Sequence, residues 1–275
     1  LRKRAFQPQR YATSQGHREV DRIVTYEQPL NERLRTFLRI EQLMDNFEHS
    51  LARDTAWDTQ SALMLLLEIL NLGARVDLKS ELMMELKRQI ANMERLEQAP
   101  MVDSSRLQGI VARHKQLIAK LHAQSGQPGA ALKSNEFLNS IRQRTIIPGG
   151  TCDFDLPAFH YWLSEPVAAR HGLLRTWIAP FKDIHAAIVD ILGLVRESAT
   201  PQRTRAAAGF YQQNLDVHQP YQLIRILLGE KSGYYPEVSA GKHRFTVRFL
   251  RQPSPDTRGV PVDKDLEFAL ACCAL

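Results

Sequence analysis

Apolar positions fall at three- and four-residue spacing through most of this chain, and after Pro201 they begin to alternate. Those two periods are the signatures of helix and strand. Ile23 to Tyr26 reads as a short strand closed by Glu27-Gln28-Pro29, and Asn31 is placed to cap a helix running to about Ala52 through Leu34, Phe37, Leu38, Met44 and Phe47. A second helix is expected from Thr55 to Leu72, stopping at Gly73. Its centre is apolar on most sides, which marks it as the most buried helix of a bundle. A third covers Lys79 to Gln98, and Asp103 caps a fourth carrying Leu107, Ile110, Leu117 and Leu121. Ser134 opens a shorter helix ending in Arg142-Gln143-Arg144. Pro148-Gly149-Gly150 is a sharp turn, Asp155 and Pro157 look like the cap and first turn of another helix, and Leu174 to Ser198 reads as one helix with Pro180 near its start.

Beyond Pro201, strands are expected at about Leu223–Leu228, Tyr234–Val238, Arg244–Leu250 and Leu266–Cys272, separated by turn-forming runs such as Gly229-Glu230-Lys231-Ser232-Gly233. The fold class is therefore α+β, a helical bundle over residues 23–200 packed with a small antiparallel β-domain over residues 201–275. The first strand is expected to join the late sheet.

Residues 241–250, Gly-Lys-His-Arg-Phe-Thr-Val-Arg-Phe-Leu, divide most cleanly. As a strand they put Lys242, Arg244, Thr246 and Arg248 on one face and His243, Phe245, Val247 and Phe249 on the other. One face is built for a core, and the other is a rigid basic stripe suited to an acidic partner. Protection of a sheet edge by cations is the competing explanation.

Charge sharpens this reading. The chain carries +6 over 275 residues, and residues 1–22 alone account for +4. These first residues read as a flexible basic arm, and the rest is close to neutral. Such a body argues for a local basic site rather than general phosphate binding. No apolar run approaches the ~18 residues of a membrane span, so no membrane insertion is expected. Three cysteines make no disulfide framework.

Catalytic chemistry is not apparent. Cys152 and His160 have no third orienting group, and a core cysteine is the plainer reading. Cys272-Cys273 lacks partners at metal spacing, and Gly149-Gly150 is not followed by Lys-Ser/Thr. No catalytic residue, metal or cofactor is expected. The cations that remain are Arg35 and Arg39, one helical turn apart, with Arg142 and Arg144 at a helix C-terminus, where the macrodipole favours them anyway.

Longer segments resemble the ZapD family of bacterial cell-division factors. The carriers are Pro29 to Glu41, Ile141 to Arg144 followed by Ile147 to Pro157, Gly209-Phe210-Tyr211-Gln212, Tyr235 to Phe249, and Leu266 to Cys273. Matches run in order from about Val24 to Cys273. The resemblance implies a homodimer acting in the cytoplasm at the mid-cell division ring, binding the C-terminal tail of FtsZ and bundling its filaments. It implies roles in that binding for Arg39, His160, Arg244 and Arg248; Arg35, Arg142, Arg144 and Lys242 join them by chemistry. Glu136 stands where some relatives are basic. A nucleic-acid-binding protein using the same strand and arm, with nearby aromatics such as Phe245 and Tyr235, is the alternative, although Phe245 lies on the face opposite the cations, so no nucleic-acid partner is expected.

Overall fold

The computed structural model describes residues 22–75, 77–97, 103–241 and 243–275. All but the last residue of the basic arm, and Lys242, lie outside them. The class is α+β, with helices leading and two small antiparallel sheets following. Two compact units emerge: the chain up to Leu34 together with Leu194–Leu275, and Arg35–Gly193.

In the helical unit, local polar residues set most starts. Helix α1 (Glu32–Leu51) begins where the Leu34 N–H donates to Asn31 Oδ1 at 2.8 Å. Helix α2 (Ala56–Arg75) follows Thr55, whose hydroxyl accepts from the Asp58 N–H at 3.1 Å. Asp77 caps α3 (Leu78–Leu96), and Asp103 caps α4 (Ser104–Ala123). Asn135, not Ser134, caps α5 (Glu136–Arg144), because Ser134 closes a preceding 3-10 turn. Helix α2 continues through Gly73, and a Cβ there would lie 3.3 Å from the Phe181 ring. That glycine serves close packing instead of ending the helix.

Three more helices complete the unit: α6 (Pro157–Ser164), α7 (Val167–Ile178) and α8 (Lys182–Glu197). The single helix expected over Leu174–Ser198 is two, divided by a 3-10 turn at Ala179–Phe181. Pro180 cannot donate a backbone hydrogen bond and crowds the preceding turn, so the break falls there. Arg170 is buried and fastens α7 to α2 and to the residues before it, donating to Thr59 Oγ1 at 2.9 Å and to the Asp54 carbonyl at 3.1 Å.

The β-unit holds two sheets. Strands β1 (Ile23–Pro29), β2 (Gln202–Ala206), β4 (Tyr221–Gly229) and β8 (Leu266–Ala274) form one, in the order β1-β4-β8-β2. Strands β3 (Phe210–Asn214), β5 (Tyr235–Ala240) and β6 (Arg244–Arg251) form the other, in the order β3-β6-β5, with the two-residue β7 (Val260–Pro261) also on β6. A single core joins them: Ile224, Ile226 and Leu228 of β4, Leu266, Phe268 and Leu270 of β8, and Phe245, Val247 and Phe249 of β6. Phe249 and Phe268 bring their ring centroids to 5.0 Å, and Tyr211 meets Phe268 edge-on at 5.5 Å.

Between β2 and β3 the chain turns on two residues, Ala208 (φ 46°) and Gly209 (φ 68°), a conformation that twists with the strands but strains an alanine. Asp265 holds it in place, accepting from the Ala208 N–H at 2.9 Å and pairing with Arg205. The Ala208 amide first, and the Arg205 guanidinium second, keep the Asp265 carboxyl below its ordinary range. A Cβ at Gly209 would fall 2.1 Å from the Val262 carbonyl oxygen.

Gly209→Ala is therefore expected to cost more than ~2 kcal/mol, seen as a lower urea midpoint. Burial pushes the imidazoles of His114 and His171 below their usual value. The unfolded chain then binds more protons than the folded one below about pH 6.5. Stability should be fully present above that pH and decline as pH falls toward the folded values. Melting curves from pH 7.5 to 5 check this, and His114→Leu should flatten the decline.

Candidate functional site

On β6 the period-two pattern works as a sorting device. Phe245, Val247 and Phe249 are fully buried, while Arg244 and Arg248 are exposed. His243, placed on the apolar face by simple alternation, is exposed. The strand starts only at Arg244, and the His243 carbonyl instead accepts from the Leu215 N–H at 2.8 Å. Strand β6 lies between β3 and β5, so its arginines are not edge protection. An interior strand gains nothing in ladder terms from charged residues.

Register decides what surrounds these arginines. Phe210 on β3 and Glu237 on β5 both stand opposite Arg248, and Asn214 stands opposite Arg244. Opposed residues share a face, with Cβ atoms about 5 Å apart. Phe210 is 44% exposed, so an aromatic ring does share the surface of the cations. Sequence alternation points to Phe245, on the buried side, and to Tyr235 on β5, but not to Phe210. A non-local strand pairing was needed to find Phe210, although Gly209 before it marks the turn. Among the described residues neither Arg244 nor Arg248 makes an ion pair.

The helical unit carries a second basic group. Phe137 of α5 packs on Phe159 and Trp162 of α6 at centroid distances of 6.4 and 5.6 Å, and Trp177 of α7 joins at 6.0 Å from Trp162. This aromatic cluster sets α5 against α6. It leaves Arg142 and Arg144 exposed at the C-terminal end of α5 and His160 exposed on α6. The buried members of this helix are the neighbours of His160, Phe159 and Trp162.

Arg144 Nη1 reaches Asp155 Oδ1 at 3.2 Å and closes the loop between the two helices. Asp155 is thus a partner of Arg144 and not the cap of α6. That helix starts after Leu156 with Pro157 in its first turn and no side-chain cap. Glu136 lies in the first turn of α5, where the helix dipole favours a carboxylate, six residues and roughly 9 Å along the axis from Arg142. Arg39 is exposed on α1 and Arg35 half-buried one turn before it. Arg35, Arg39, Arg142, Arg144 and His160 belong to one unit, Arg244 and Arg248 to the other, and Lys242 is outside the described residues.

Cys152 is exposed rather than a core residue. Burial first, and their mutual proximity in the case of Cys272, push the thiols of Cys272 and Cys273 up to about 11. Both therefore stay protonated at neutral pH. Among the described residues no cluster of His, Cys, Asp and Glu has the makings of a metal site, and no helix is long and apolar enough to cross a membrane.

Comparison with known proteins finds relatives over most of the length of the chain. The family model for ZapD, described as a cell division protein, matches residues 38–248. The chain is similar to the "Cell division protein ZapD" of Methylococcus capsulatus, at 38% identity over 92% of this chain and 98% of the relative. It is equally similar to those of Cupriavidus necator, 38% over 91% and 99%, and Nitrosomonas eutropha, 38% over 92% and 100%.

Glu237 partly offsets the field of Arg248 without pairing with it. Glu237→Gln should raise the salt concentration at which the protein elutes from a heparin column. Removing one exposed charge changes binding by about 0.2–1 kcal/mol, and Arg248→Gln should shift elution the other way.

Proposed function

The chain belongs to the ZapD family of cell division proteins, and from that premise we propose that it binds the C-terminal tail of FtsZ and, as a homodimer, cross-links FtsZ filaments into bundles. The action is non-enzymatic, takes place in the cytoplasm at the mid-cell ring and requires no cofactor. The observation that carries the reading is the outer face of β6, where Arg244 and Arg248 are exposed without ion-pair partners among the described residues. Arg39, Arg142, Arg144 and His160 supply further cationic or hydrogen-bonding groups, with Arg35 and Lys242 beside them in sequence.

The physical logic is multivalency. An exposed charge pair contributes only about 0–1 kcal/mol, so one tail is held weakly by several residues. A dimer presents two such sites to neighbouring filaments, and the second contact benefits from a high effective concentration. Bundling should therefore be steep in protein concentration and weaken with salt.

A nucleic-acid-binding reading draws support from Phe210 beside Arg248, a combination that suits a base stacked next to its phosphate. The near-neutral charge of the chain beyond its first 22 residues weighs against it.

Co-sedimentation with FtsZ polymers, intact and tail-deleted, at low and high salt, tests the proposal. Pelleting and bundling are expected only with the tail, and should fade at high salt. Arg244→Glu and Arg248→Glu should impair bundling with unchanged melting temperatures. Full bundling by both variants, or pelleting with tail-deleted polymers, would count against it.

A further inference from the structure

The loop between α5 and α6 holds an unusual surface. Ile146 is 83% exposed, Phe154 81% and Tyr161 on the following helix 67%. Ile147 is exposed as well. Isolated exposed apolar residues are ordinary, but a concentration of large ones within a short segment marks a contact surface.

The loop is also built to hold its shape. The Ile147 N–H donates to the Arg144 carbonyl at 3.0 Å, Gly150 to Ile147 at 2.9 Å, Cys152 to Gly149 at 3.1 Å, and Leu156 to Cys152 at 2.9 Å. Gly149 takes φ 73°, and a Cβ on Gly150 would fall 2.3 Å from the Arg144 carbonyl oxygen. The Arg144–Asp155 pair ties the two ends together. Ile146 follows that pair by two residues and Phe154 precedes it by one, so both apolar side chains leave the loop close to the same ion pair. Arg142 and His160 flank it, exposed, on α5 and α6.

Holding large apolar groups in water on a rigid loop gives folding nothing. It does lower the entropy lost when a partner covers them. The adjoining groups define that partner: exposed Arg142 and His160, on the helices either side, complement carboxylates, the loop's own exposed carboxylate Asp153 accepts from the Phe154 N–H, and the apolar groups complement aliphatic or aromatic side chains.

We propose that Ile146 and Phe154 are recognition residues that take apolar side chains of an acidic peptide, beside carboxylates drawn to Arg142 and His160. The inference rests on the peptide-binding reading above and deepens it. The site reads an apolar–acidic combination and not charge alone, which separates a specific tail from other polyanions.

Fluorescence anisotropy tests this with two labelled probes, the C-terminal peptide of FtsZ and an oligoglutamate of equal charge. In the double variant Ile146→Ser/Phe154→Ser, affinity for the tail should fall about tenfold or more, while oligoglutamate binding stays within about twofold. Arg142→Glu should weaken both probes, and Phe154→Leu should retain most tail binding. Matching thermal melts show that the variants fold. Wild-type tail affinity in the double variant overturns the proposal while leaving the partner reading standing. A double variant that turns monomeric by light scattering overturns it in favour of a contact between copies. If the wild type binds oligoglutamate as tightly as the tail, selective recognition is refuted. If it binds neither probe, the partner reading itself fails, and this inference with it.

Discussion

A single carboxylate, Glu27, holds together the ends of the β-unit. Its two oxygens accept from Arg196 at 2.9 and 2.7 Å and from Arg225 at 3.1 Å, and Arg225 also donates to the Arg196 carbonyl at 3.3 Å. Glu27 is on β1, directly opposite Arg225 on β4, and Arg196 is in the last turn of α8. Three segments far apart in sequence therefore meet at one partly buried cluster. Two guanidinium groups sharing one carboxylate would be costly in a dry core, but here all three side chains keep some contact with water. The cluster aligns β1 with β4, and that pairing extends from Ile23–Gly229 to Pro29–Leu223.

From this alignment follows the position of everything else in the sheet. Strand β8 pairs with β4 and β2 with β8, and the inward side chains of β4 and β8 form the floor on which β6 lays Phe245, Val247 and Phe249. The arginines of β6 face outward because these three residues face inward. Displaying Arg244 and Arg248 thus needs no polar framework of its own: the buried phenylalanines orient them. The Ala208–Gly209 turn acts on the same surface, since it starts β3 at Phe210 and sets that ring opposite Arg248. Asp265 offsets the strain of a left-handed alanine in doing so.

The helical unit solves the same problem with aromatic packing. Phe137, Phe159, Trp162 and Trp177 fix α5, α6 and α7, and the polar residues between them point outward by helical period. On both units, cations are carried by regular elements whose opposite faces are in the core. An exposed charge of this kind is a weak attractor taken singly.

Local chemistry was enough to read much of this from the residues. Asn31 and Asp103 announce helix starts because a short polar side chain can reach the free N–H groups of a first turn. The Arg244–Leu250 alternation announces a half-buried strand because side chains alternate at period two. The extended matches to the ZapD family pointed to cell division, which no period or composition could do. What the tertiary structure alone decided was neighbourhood. Strand β6 became central rather than an edge, Phe210 and Glu237 came to stand beside Arg248, Asp155 became the partner of Arg144, and Gly73 stayed inside its helix against Phe181. Periodicity reports which face of an element is buried, and capping reports where it begins. Neither carries the identity of a partner many residues away, because strand register and loop closure are settled only when the whole core packs.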